Sequence, residues 1–167
     1  MKAEIRKGSF YTLERKLSFM KDLFSQTDSM TVINRIESLQ PYNQPQWGKM
    51  NVSQMLAHCQ VPFSYYFGER KQKRGLMAIL FGTMAKKKML HNGAFTKNLP
   101  TAKDFIVTDE RDFEKEKRQL IEMIKRFTST ADPHIVQQHP FFGKMSGNEW
   151  AVLAYKHLDH HLRQFEV

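Results

Sequence analysis

Two stretches far apart in the chain repeat one pattern, and that pattern fixes where two helices begin. Pro45-Gln46-Trp47-Gly48-Lys49-Met50-Asn51 and Pro140-Phe141-Phe142-Gly143-Lys144-Met145-Ser146 each run from a proline through an aromatic residue to Gly-Lys-Met and a capping residue. Asn51 and Ser146 carry side-chain oxygens that accept from the orphan N–H groups of a first helical turn. Three residues on stand Gln54 and Glu149, which can reach back to the N–H of the cap and close a capping box. Met50 with Met55, and Met145 with Trp150, have the spacing of the apolar pair that brackets such a start. Once the cap is fixed, so is the direction in which each later side chain leaves the helix.

Helical spacing dominates the rest. Val32, Ile33, Ile36 and Leu39 form one apolar stripe, with Asp28 or Ser29 expected as its cap. The helix from Asn51 carries Met55, Leu56, Cys59, Phe63 and Tyr66. A third segment, Gly75 to Leu90, is rich in Met, Leu, Ile and Phe and includes the triplet Lys86-Lys87-Lys88, which suits the negative end of a helix dipole. A fourth is expected to start near Asp109, with Phe113, Leu120, Ile121, Ile124 and Phe127 on one side; its early acids and late bases match the dipole at both ends. The last runs from Ser146 nearly to the C-terminus. Residues 95–106 and 131–144, punctuated by prolines, read as loops. Residues 1–27 read as an arm followed by a short helix, and 28–167 as a single helical-bundle domain. No segment outside the arm shows strand alternation. The expected class is all-α.

A chain of 167 residues with 41% hydrophobic and 26% charged residues can bury a core without staples. Its one cysteine, Cys59, excludes an internal disulfide framework and suits a reducing compartment. No apolar run reaches membrane-spanning length, and Met1–Lys7 lacks the apolar stretch of a signal peptide. A cytoplasmic protein with no membrane partner is therefore expected. The net charge of +9 keeps nucleic acid and anionic substrates in view. Its densest runs, Arg70-Lys71-Gln72-Lys73-Arg74 and the Lys86–Lys88 triplet, read as solvated surface charge.

The chemistry lies in three histidines. His58 stands seven residues after Asn51, and His157 and His161 stand eleven and fifteen after Ser146. At about 100° per residue these offsets fall in one narrow sector of the helix surface. The i, i+4 pair His157 and His161 presents two rings on one side, the spacing by which a helix offers two imidazoles to one metal. Both continue the inward line of Trp150, Leu153 and Ala154, and His58 follows Met55 into the core. Buried imidazoles without partners are costly, and a shared ion removes that cost. Satisfied core or surface histidines fit the same spacing, and spacing alone does not choose between them. Pro62, four residues after His58, cannot donate to the His58 carbonyl and is expected to bend the helix there. His160 is expected to point away from the pair, and His91, His134 and His139 read as ordinary polar positions near loops. Cys59 reads as a small buried hydrophobe.

Met55-Leu56-Ala57-His58 on an early helix, together with His157-Leu158-Asp159-His160-His161 on the last, resembles the DinB/YfiT-like metalloenzyme superfamily, in a branch known mainly as a domain of unknown function. Trp47-Gly48-Lys49-Met50, Asn98-Leu99-Pro100-Thr101 and the His139–Met145 stretch also fit that branch, so the resemblance covers the chain from about residue 28 onward. It implies a four-helix bundle with an additional helix or N-terminal arm and a long connection. It also implies one divalent metal ion (Zn, Ni or Fe) held by His58, His157 and His161. The better-studied relatives imply a thiol-dependent transferase or isomerase; an open metal position that ionises water also suits a hydrolase, and the basic surface favours a small anionic or thiol substrate. No residue reads as a general base: Glu149 and Asp159 read as a cap and a surface group. Two other readings stand beside the enzyme. One is a non-catalytic metal or small-molecule binding protein. The other, supported only by the charge, is a basic nucleic-acid-binding module. A homodimer is compatible with the apolar third segment.

Overall fold

In the computed structural model, the described residues are 20–71, 74–91 and 93–167. The N-terminal arm read from residues 1–27 lies outside them up to residue 19. Five helices follow: α1 Gln26–Ser38, α2 Val52–Tyr66, α3 Leu76–His91, α4 Phe113–Ser129 and α5 Gly147–Gln164. A 3-10 turn, Lys103–Phe105, precedes α4. Strands β1 (Val136–His139) and β2 (Gly143–Ser146) lie between α4 and α5.

Both repeated signals start helices as their chemistry requires. The Asn51 side chain accepts from Gln54 N–H while the Gln54 side chain accepts from Asn51 N–H, at the head of α2. Ser146 and Glu149 form the same reciprocal pair at the head of α5. The repeated glycine also has a reason: Gly48 and Gly143 both adopt φ +81°, which a side chain would strain. The other two starts differ from expectation. Helix α1 is capped by Ser25, whose Oγ accepts from Asp28 N–H, so Asp28 sits in the first turn, where its charge suits the dipole. Helix α4 is capped by Asp112, three residues after Asp109.

Among the described residues, the chain departs from an all-helical reading at one place. Residues 136–146, expected to be mostly loop, form an antiparallel hairpin pairing Val136 with Ser146 and His139 with Gly143. Four-residue strands reading Val-Gln-Gln-His and Gly-Lys-Met-Ser are too short for alternation to stand out, although β2 alternates buried Gly143 and Met145 with exposed Lys144. The second helix-start signal thus also serves as a strand.

Helix α2 packs on α4 and α5, and α1 packs on the same two, so four helices close into a ring of packed pairs. This is the arrangement of a four-helix bundle. Leu23, Ile36, Leu56, Ile124, Phe127, Trp150 and Phe165 are fully buried inside it. Thirteen of the fifteen residues of α2 are buried, which makes it the central helix. It continues through Pro62 to Tyr66. Helix α3 lies outside the ring, against α5 and β2. An ion pair between Arg35 and Asp159, 2.8 Å apart, ties α1 to α5.

The junction of hairpin and α5 is tight. Gly147 N–H donates to Ile135 O at 2.9 Å, and a Cβ on Gly147 would lie 1.9 Å from Asp132 O. Backbone cannot yield as a flexible side chain can. Gly147→Ala should therefore destabilise the chain by about 2 kcal/mol or more, read as a lower urea midpoint; an unchanged midpoint would show that the junction shifts freely.

Candidate metal centre

Helices α2 and α5 lie side by side in the bundle, and their caps set the same rotational phase. His58, His157 and His161 consequently meet. Their ring centroids form a near-regular triangle with sides of 4.7–4.8 Å. One nitrogen from each ring falls within 4.8 Å of the others, an arrangement that could hold one metal ion. His58 and His161 are buried, and His157 is half-buried.

The far sides of two rings are anchored. His58 Nδ1 lies 2.7 Å from the Phe105 carbonyl, and His161 Nδ1 lies 2.8 Å from Gln164 Oε1. A carbonyl and an amide oxygen only accept, so both Nδ1 atoms carry the proton and both Nε2 atoms present a lone pair inward. Metal-binding histidines are oriented in this way by their outer partners. His58 Nε2 lies 2.9 Å from His157 Nε2. Two ligands of one tetrahedral zinc stand about 3.3 Å apart at Zn–N distances of about 2.0–2.1 Å. The rings of His58 and His157 therefore need to part by only a few tenths of an ångström.

The electrostatics favour neutral rings. Burial lowers the His58 pKa, partly offset by its bond to Phe105. Burial, then the neighbouring His161 and His58, push His157 well below its usual value. His161 is lowered to about 3 by burial and by His58. Neutral imidazole is the form that binds metal.

Gln164 completes the outer shell. Its side-chain Nε2 donates to the Trp47 carbonyl, and its backbone carbonyl accepts from Gln46 N–H at 2.8 Å. The repeated signal before α2 is thereby tied to the histidine-bearing end of α5. Gln164→Ala should weaken metal affinity about 10–100-fold, measured by competition with a chromophoric chelator. Unchanged affinity would show that His161 needs no orienting partner.

Two participants, Phe105 and Gln164, and one buried neighbour of the centre were not singled out from sequence. Phe105 contributes a backbone carbonyl, which leaves no side-chain signature. Gln164 could have been found, since a glutamine three residues after a helical histidine lies on the same face. The neighbour is His139, expected to be an ordinary polar position near a loop. It is buried at the hairpin end, stacked on Phe142 at 4.5 Å and against Trp150 at 5.0 Å. Its Nδ1 accepts from the N–H groups of Phe141 and Phe142, both at 3.1 Å. Burial, then Arg74, lowers it to about 3. It is not part of the three-histidine group.

His160 turns from the group, as adjacent helical positions must. It faces a surface recess of about 380 Å³, lined also by Trp47, Phe95, Lys97, Arg163 and Glu166. The recess adjoins the centre, since the rings of His160 and His161 lie 5.1 Å apart. Lys97 sits over the Trp47 ring at 4.4 Å. Cys59 is buried with its Sγ on Met55 Sδ, and burial raises its thiol pKa far above the usual value, so it is no nucleophile.

No curated protein and no solved structure matches this chain. Over residues 20–167 it matches the sequence profile of the family described as "Protein of unknown function (DUF1569)", and it belongs to that family.

Proposed function

We propose that the chain is a metal-dependent enzyme of the DinB/YfiT-like kind. His58, His157 and His161 hold one divalent ion, and a small anionic or thiol substrate occupies the adjoining recess. The observation that carries this reading is the ring triangle with His58 and His161 anchored through Nδ1, which leaves the Nε2 lone pair of each free for an ion. An ion held by three imidazoles keeps an open position, where it would activate a water or a thiol as a Lewis acid. The chain's own residues do the rest. Phe105 and Gln164 fix the tautomers of His58 and His161. Lys97 is the cation of the recess available to a carboxylate or thiolate, since Arg163 is paired with Asp159 and Glu166 lines the same recess. The apolar faces of Trp47 and Phe95 would hold the carbon part of such a molecule. Transferase and hydrolase chemistry both suit this arrangement.

The second reading is a non-catalytic metal or small-molecule binder. It is favoured by the anchoring groups being a carbonyl and an amide, neither of which moves a proton at neutral pH. The deciding experiment is metal analysis of protein purified without a nickel column, followed by thiol-transfer and hydrolysis screens with the loaded chain. About one ion per chain with turnover supports the enzyme. One ion without turnover selects the binder. No ion, and none taken up on addition, overturns the enzyme and the metal binder and leaves a small-molecule binder.

A further inference from the structure

The positive charge of the chain is concentrated. Residues 70–103 hold nine of its 26 Lys and Arg and no Asp or Glu. The remainder carries 17 Lys and Arg against 17 Asp and Glu, so the whole net charge of +9 resides in this segment. Within it lies α3, whose packing is inverted. It turns the small residues Ala78 and Gly82 inward; a Cβ on Gly82 would meet the Phe141 carbonyl oxygen at 2.2 Å. It turns Leu76, Met77, Ile79, Leu80, Phe81 and Met84 outward, each between 43% and 71% exposed. At about 100° per residue Leu76, Leu80, Met84 and Lys87 leave along one line of the helix, with Met77, Phe81 and Lys88 along the next. Lys87 and Lys88 are exposed and, among the described residues, have no ion-pair or hydrogen-bond partner.

We propose that α3 docks on the surface of a bilayer bearing anionic lipid. Its six apolar side chains enter the headgroup boundary, and Lys87 and Lys88 lie against the lipid charges. Among the described residues no helix is long and apolar enough to cross a membrane, so the contact is interfacial. Charge decides against the other occupants. A second copy would bring the same cationic segment face to face. Residues 1–19 carry five Lys and Arg against two acids and would be repelled as well. Nucleic acid would match the charge but prefers stacking aromatics, and Phe81 is the one aromatic of the six. An acidic protein groove grips a single stripe at i, i+3, i+4 and i+7. The exposed apolar arc here, from Ile79 round to Phe81, spans more than half the helix circumference, which a fluid lipid boundary accommodates. The contact is independent of the histidine centre.

Flotation of the full chain with vesicles tests this, using phosphatidylcholine alone and phosphatidylcholine with about a third phosphatidylglycerol. Binding to the anionic vesicles should be at least about tenfold tighter and should weaken with salt. Lys87→Gln with Lys88→Gln should weaken it about 25-fold at low salt. Leu80→Gln with Met84→Gln should weaken it at least about tenfold. Both pairs are exposed, so circular dichroism should stay unchanged. No binding overturns the proposal, as does anionic binding indifferent to Leu80→Gln with Met84→Gln, which is charge adsorption without insertion. A solution dimer dissolved by that same pair overturns it in favour of a second copy. Displacement from vesicles by duplex DNA or polyglutamate at equal charge overturns it in favour of those polyanions.

Discussion

Lowering the pH of the metal-free chain from about 6.5 to about 4.5 should remove roughly 5 kcal/mol of its stability. The order of magnitude follows from two groups alone, each worth about 1.4 kcal/mol per pH unit across this interval. His139 and His161 are buried, and each is lowered to about 3 from an unfolded value near 6.5. Both stay neutral in the folded chain and take up a proton on unfolding. Their contribution is therefore complete above about pH 6.5 and is lost as the pH falls toward 3. His157 and His58, also lowered, act in the same direction. Carboxylates titrate mostly below about pH 4.5, so histidines dominate the interval. His139 has a local reason as well. Its Nδ1 accepts from two backbone N–H groups, and a proton there would set three donors against one another. Urea denaturation at stepped pH, in chelator, measures the slope. His139→Gln should reduce it by about one proton. A slope near zero between pH 6.5 and 4.5 would mean that the buried rings are reached by water and protonate in place.

How far the sequence disclosed this site depended on whether each contribution has a side-chain signature. Asn51 with Gln54, and Ser146 with Glu149, name their own roles, because a capping box is local chemistry written at fixed spacing. From those caps the common phase of His58, His157 and His161 could be counted, and the structure brings the three rings together. The bundle of α1, α2, α4 and α5 was legible because apolar stripes at helical spacing survive tertiary context. The hairpin was not. Its residues pair through backbone, and Gln137 and Gln138 offer no alternation. The burial of His139 follows from that hairpin, so both were missed together. Phe105 was missed because any residue supplies a carbonyl. The outward apolar face of α3 was hidden for another reason: a helix apolar on nearly every side gives no preferred direction, and only the packing of Ala78 and Gly82 reveals which side is in.

Replacing His157 by alanine should abolish metal-linked stability while leaving the metal-free fold nearly intact. With free metal at about a thousand times its dissociation constant, a bound ion stabilises the native chain by about 4 kcal/mol. For a chain of this length that raises the melting temperature by roughly 8–16 °C. His157→Ala removes one of the three proposed ligands, a larger loss than that of an orienting partner. Affinity should fall by more than about 100-fold, and the added metal should shift the melting temperature by no more than a few degrees. The metal-free variant should melt close to the metal-free native chain. His157 is only half-buried, so its removal costs little beyond the hydrogen bond that its Nε2 donates to His58 Nε2 at 2.9 Å. His160→Ala and His139→Gln discriminate further. His160 turns into the recess and His139 is held by the hairpin, so both variants should keep the full metal response. A metal response lost equally in all three would mean that the ion is bound by a looser cluster of histidines, and the anchored triangle would lose its claim to be the site. Calorimetry with zinc, nickel and iron(II) on the four proteins, each stripped by chelator beforehand, makes the comparison directly.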